Sequence, residues 1–141
     1  MKRISVVAAV IEHKGRILCV QRPANKYDYI SRKWEFPGGK IEVGETRQEG
    51  LVREITEELS VEVEVGDLLL TVEHEYPDFH ITMHAFHCTL SPGTRDSDLH
   101  LSEHIDLRWL EATDTAFGQL DWAGADVPIV DVLMAKPAVG A

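Results

Sequence analysis

The segment "REITEEL", Arg53 to Leu59, carries three glutamates, Glu54, Glu57 and Glu58, with Glu45 isolated upstream and a Gly38-Gly39 pair further back. An α-helix advances about 100° per residue, so these three carboxylates fall within about one 100° arc. Like charges at i,i+3 and i,i+4 destabilise a helix by about 0.2–0.5 kcal/mol per pair, and by more when partly buried. Something positive must offset this. Hard divalent cations take oxygen ligands, and Mg²⁺ is typically held by a few carboxylates, water and substrate phosphate. Three carboxylates on one helix edge make half of such a site. The competing reading is a solvated acidic helix face. It leaves the Gly-Gly turn, Glu45 and the Arg53-Glu54 neighbours unexplained.

These side chains need a helix to hold them. Thr46 to Leu59 supplies the period, because Leu51, Val52, Ile55 and Leu59 form one apolar stripe. Thr46 with Glu49 three residues on is a capping-box signature. The glutamate arc lies beside that stripe, which predicts carboxylates at the rim of the core. Around this helix, 4–11 and 16–21 are β-rich runs split by a turn at Gly15, and "WEF" and "GGKIE" are short strand pieces around Pro37-Gly38-Gly39. Residues 61–73, 79–90 and 104–110 read as further strands. "ADVPIVDVLMA" reads as a last helix, with Asp126 as N-cap and Pro128 in its first turn. The order predicts an α/β domain with a mixed sheet between helices, in one unit over 1–141.

Composition narrows the function. The chain has 24 acidic against 14 basic residues, a formal net charge of −10, which repels phosphate backbones and argues against general nucleic-acid or anionic-membrane binding. A small phosphorylated ligand remains open if a cation mediates. The start, "MKRISVVAAVIEHKG", has a short β-branched apolar run followed by charge where a cleavage site should be, so a strand is expected there rather than a signal peptide. No apolar run approaches the roughly 20 residues of a membrane span. Cys19 and Cys88 lie far apart in strand-like runs, which suits reduced core thiols and a cytoplasmic location. His74, His80, His84 and His87 do not share one strand face, which counts against a transition-metal site.

Gly39, five residues, Glu45, seven residues, then "REITEELSV" resembles the signature of the Nudix hydrolases, matched at Gly39, Glu45, Arg53, Glu54, Ile55, Glu57, Glu58 and Val61. Ser60 departs from it, standing where the family has glycine, at a helix end that favours the left-handed conformation. "EFPGGKIE" and "YPDFHIT" are similar to the MutT and CTP pyrophosphohydrolase-like branch. The resemblance implies the Nudix fold, an α/β/α sandwich with a mixed β-sheet. It further implies Mg²⁺-dependent hydrolysis of a (deoxy)nucleoside triphosphate to monophosphate and pyrophosphate, with Mn²⁺ able to substitute. The metal ligands would be the Gly39 carbonyl, Glu54, Glu57, Glu58 and Glu103. Glu54 would also be the candidate base, although family members differ in which glutamate does this. Arg53 would orient a helix carboxylate and Glu45 would steady Arg53.

Trp34 and Phe36, two apart in an extended piece, point to one side and Glu35 to the other, so the two aromatic rings are candidates for stacking on a base or filling core. Arg22 and Asp78 align with substrate-side positions of the branch. Asp126 stands where MutT has asparagine; an ionised aspartate only accepts hydrogen bonds, which suits an exocyclic amine such as cytosine N4. The expected substrate is therefore a cytidine-type or oxidised nucleotide such as 8-oxo-dGTP, in nucleotide-pool sanitation linked to DNA repair. ADP-ribose, a nucleotide sugar or a dinucleoside polyphosphate is the alternative, and a non-catalytic nucleotide sensor a third reading. The partner is a small-molecule nucleotide, and the chain acts as a monomer or homodimer.

Overall fold

The computed structural model describes residues 1–135. Strand β1 (Lys2–His13) turns back into β2 (Arg16–Gln21) through Lys14 and Gly15, both left-handed at φ 53° and 77°. Two successive positive φ values match the twist of a two-residue hairpin, which is why a glycine sits there. Short strands β3 (Trp34–Glu35) and β4 (Gly38–Lys40) precede helix α1 (Arg47–Leu59). Long strands β5 (Val63–Glu75) and β6 (Phe79–Leu90) follow, then β7 (Asp106–Leu110), α2 (Asp114–Phe117) and α3 (Val127–Ala135).

The sheet is mixed. Its main path runs β3-β2-β1-β6-β5, with β4 paired to β1 and β7 to β2. β1 lies parallel to β6 from Lys2↔Phe79 to Ile11↔Cys88, while its other neighbours are antiparallel. A strand buried on both faces reads as a continuous apolar run, and β1 does. Val6, Ala8 and Val10 face a core closed by Phe117 of α2 and Ile129, Val130 and Leu133 of α3. Val7, Ala9 and Ile11 face the opposite core, closed by Leu51, Ile55 and Leu59 of α1. The result is the expected α/β/α sandwich. Leu51, Ile55 and Leu59 are fully buried, each contributing about 1.5–3 kcal/mol of apolar transfer.

Strand ends differ from expectation by up to two residues, as at β7, which begins at Asp106 rather than His104. The short α2, capped by Thr113 through the Ala116 N–H, lacked the length to show a helical period. Cys19 and Cys88 are free and buried, and burial pushes both thiols up to about 12. No helix among the described residues is long and apolar enough to cross a membrane.

Candidate functional site

Thr46 and Glu49 form the reciprocal capping box, so α1 starts at Arg47 and its phase is fixed. Its far end stops at Ser60, held left-handed at φ 62°. The loop after β6 closes over that end. The Ser102 N–H donates to the Glu58 carbonyl at 3.1 Å, the Ser102 hydroxyl to the Glu57 carbonyl at 2.9 Å, and the His100 N–H to the Leu59 carbonyl at 2.9 Å. Terminal carbonyls that have no partner within a helix are thereby satisfied, and Glu103 is delivered beside Glu58.

The Arg53 guanidinium organises the outer carboxylates. Its Nε and Nη2 donate to the two oxygens of Glu45 at 2.6 and 3.0 Å, a bidentate fork. Its Nη1 donates to Glu54 at 2.9 Å and to Glu57 at 3.2 Å, and Nη2 also reaches the Lys40 carbonyl at 3.0 Å. These contacts hold the Glu45 carboxyl below its usual range, the Arg53 hydrogen bond being the main cause, and raise Arg53 through Glu45. A Cβ at Gly39 would push the Glu54 carboxylate from its place beside Arg53. Gly38 is required, because a Cβ would run into the Val7 carbonyl of β1.

Glu58 is different. It is only 2% exposed, and no ion-pair partner reaches it among the described residues. Burial above all, then the neighbouring charges of Glu35, Glu54 and Glu103, pushes its carboxyl up to about 9. Burial also raises Glu54, against the pull of Arg53. Glu58 and Glu103 line a cleft of about 160 Å³ with Gly38, Glu35, Arg22 and His104. A buried carboxylate ringed by other carboxylates is costly unless a cation joins it, so this donor set fits a hard divalent ion. The side chains do not converge into a finished cage: among the described residues no group of three His, Cys, Asp or Glu is poised around one point. Glu57 is the outlying member, half-exposed and turned to Arg53.

A Nudix domain model matches residues 1–131. The chain belongs to the Nudix hydrolase family. The CTP pyrophosphohydrolase of Escherichia coli (strain K12) is 39% identical over 138 residues, covering 98% of this chain and 96% of the relative. The 8-oxo-dGTP diphosphatase of Proteus vulgaris is 41% identical over 86 residues, 60% of this chain and 75% of the relative. Among solved structures, the E. coli ORF135 protein superposes with a TM-score of 0.78 at 39% identity, covering 99% of this chain and 94% of that one. The MutT protein of Methanosarcina mazei Go1 gives 0.75 at 28% identity, covering 94% and 91%. Nudix hydrolases in general need a divalent metal, in keeping with the Glu58 environment.

A second cavity of about 240 Å³ is walled by Ile4, Ile30, Tyr76, Phe79 and Met83, with Arg22, Glu35, Lys40 and Asp126 as its charged members. Residues 121–123 run alongside β3, where the Trp34 N–H donates to the Asp121 carbonyl at 2.8 Å and the Ala123 N–H to the Trp34 carbonyl at 2.9 Å. This added strand-like contact brings Asp126 to the cavity. Its Oδ1 accepts from the Phe36 N–H at 3.0 Å. Asp126 is therefore not the N-cap of α3; its side chain is committed to β3. Burial first, then the charge of Glu35, pushes its carboxyl well above the usual range. The shift favours the neutral form, in which the group donates as well as accepts, whereas the ionised form only accepts.

Strand alternation holds in β3, and the cavity and the acidic cleft open on the Glu35 side of it. Trp34 is core: the residue is 5% exposed, Arg108 lies over its ring at 5.0 Å, and it lines neither the larger cavity nor the acidic cleft. Phe36 stacks on Trp122 at 5.0 Å and reaches only a side cleft of about 100 Å³. Glu35, which was expected to point away, is the residue that enters both the cavity and the acidic cleft. The signal was present, since a glutamate between two core aromatics must face an opening. Arg22 lines both the cavity and the acidic cleft and is bonded to Glu35 at 3.2 Å. Asp78 is taken by the Tyr29 hydroxyl at 2.5 Å and stands outside the cavity wall. The histidines pair separately, His80 with Glu73, His84 with Thr71 and His87 with Glu12.

Proposed function

We propose that this chain uses Mg²⁺, with Mn²⁺ able to substitute, to hydrolyse a cytidine-type nucleoside triphosphate to nucleoside monophosphate and pyrophosphate. That it is a nucleoside triphosphate pyrophosphohydrolase of the Nudix type follows from its family together with its named relatives. The observation that carries the reading is the adjacency of two differently built chambers joined at Glu35. One is apolar and holds Asp126; the other is acidic and holds Glu58 and Glu103. A base belongs in the first and cation-bound phosphates beside the second.

Glu54, Glu57, Glu58, Glu103 and the Gly39 carbonyl are proposed to hold the cation. When bound, it neutralises charge that builds on the phosphoryl oxygens. The protein's own groups do the rest. Water attacks the β-phosphorus, the bond from that phosphorus to the α,β-bridging oxygen breaks, and the water proton passes to a box glutamate, with Glu54 the candidate. Arg53 orients Glu54 and Glu57, and Glu45 fixes Arg53. In the cavity, Arg22 borders the base, while Glu35 accepts and Asp126, in the neutral form that its burial favours, donates. For cytosine these meet the N4 amino group and the N3 lone pair.

Whole-chain similarity to a CTP pyrophosphohydrolase supports cytidine, and the shorter matches to 8-oxo-dGTP diphosphatases support an oxidised guanine nucleotide as the second reading. The same proposal makes residues 1–141 one domain, acting in the cytoplasm on a small-molecule nucleotide, as monomer or homodimer. Incubation with Mg²⁺ and a panel of CTP, 5-methyl-dCTP, 8-oxo-dGTP, dGTP and ADP-ribose tests it. Monophosphate plus pyrophosphate from CTP is expected; orthophosphate, or cleavage of ADP-ribose alone, would refute it.

A further inference from the structure

Glu35 is gripped at both carboxylate oxygens. Arg22 Nη1 donates to Oε1 at 3.2 Å, and His104 Nε2 lies 2.9 Å from Oε2. The His104 side chain is 4% exposed, against 18% for Glu35 and 36% for Arg22, so the innermost partner is the imidazole. Its other nitrogen, Nδ1, has no hydrogen-bond partner among the described residues, so Glu35 is the one polar contact the ring makes. β3 is only two residues long and gives Glu35 little ladder of its own. His104, by contrast, sits on a loop pinned on both sides, by Ser102 to the end of α1 and by the Ile105 N–H to the Gln21 carbonyl at 2.9 Å.

We propose that His104 is a positioning residue for base selection: through Glu35 it fixes the carboxylate shared by the base cavity and the acidic cleft, so that base and phosphates are held in one register. A glutamate with free rotamers would serve several donor patterns, and one clamped at both oxygens serves one. The clamp also joins the loop carrying Glu103 to the strand bordering the base. A purely structural ion pair would stabilise the fold without touching nucleotide preference, and the two roles separate in experiment. This inference rests on the nucleotide reading of the cavity given above.

The test compares His104→Gln, which can still donate to Glu35, with His104→Asn, which is too short, and His104→Leu, which cannot donate. Kinetics on CTP, UTP and GTP with Mg²⁺ are paired with calorimetric binding of CMP, UMP and GMP. We expect His104→Leu and His104→Asn to compress the spread of kcat/KM between best and worst base by about tenfold, mainly through KM for the preferred one, as for other outer residues that orient a ligand. His104→Gln should recover most of the spread. An unchanged spread, an equal loss of kcat on all three nucleotides, or Gln and Asn variants that behave alike would overturn the proposal. Should the parent protein release no pyrophosphate, the functional reading fails, and monophosphate selectivity still decides the role of His104. If His104→Leu does not fold, the Gln and Asn pair gives the same decision.

Discussion

The Phe36 N–H donates to the Asp126 carboxylate at 3.0 Å across 90 residues of sequence. This one bond ties the turn before α3 to β3. It removes Asp126 from helix capping and places a buried carboxyl on the cavity wall, where neither neighbour in sequence would have put it.

Folding raises the Asp126 pKa, so the folded state keeps that proton over a range in which the unfolded chain has lost it. Its contribution to stability is therefore fullest below the unfolded value of about 4 and falls as pH rises towards the folded value. Asp126→Asn removes this slope. Urea unfolding of both proteins at about pH 4 and about pH 8 should show the variant gaining on the parent at the higher pH. A difference that stays constant with pH would contradict a raised Asp126.

Arg53 grips Glu45 with a planar fork that lysine cannot reproduce. Arg53→Lys keeps the charge and should still lower kcat/KM by about 10–100-fold, the usual cost of losing a group that orients a ligand. Steady-state kinetics over a range of Mg²⁺ would show whether added metal recovers the loss.

The box glutamates carry the chemistry in the proposed reading. Glu54→Gln and Glu57→Gln should each lower turnover by about 100-fold or more with the fold intact by circular dichroism. Chelation with EDTA should abolish activity in the parent, and Mg²⁺ should restore it. Near-normal turnover of either variant in Mg²⁺ would remove that residue from the site.

Ser60 holds φ 62° at the end of α1 without the glycine that this conformation favours. Ser60→Gly should stabilise the protein by about 0.5–1 kcal/mol, less the entropy glycine adds to the unfolded chain. The melting temperature should rise by about 2–4 °C. A fall would mean that the Ser102 and His100 bonds to the last turn already relieve the strain.

Much of the fold and the phosphate end of the site is legible in the sequence because it is local. The Thr46–Glu49 box sets where α1 begins, the Leu51, Ile55 and Leu59 stripe sets its phase, and those two together put Glu54 and Glu58 at the core edge with Arg53 and Glu45 in reach. Alternation in β3 likewise shows that Trp34 and Phe36 face opposite to Glu35. Which of those faces borders the cavity is a question of what packs against β3, and that is answered by Trp122 and Phe117, more than eighty residues away. The raised carboxyl of Asp126, the double grip on Glu35 and the deep burial of Glu58 share this origin. Each depends on desolvation and on charges brought together by distant segments, and residue type and spacing along the chain carry no measure of either.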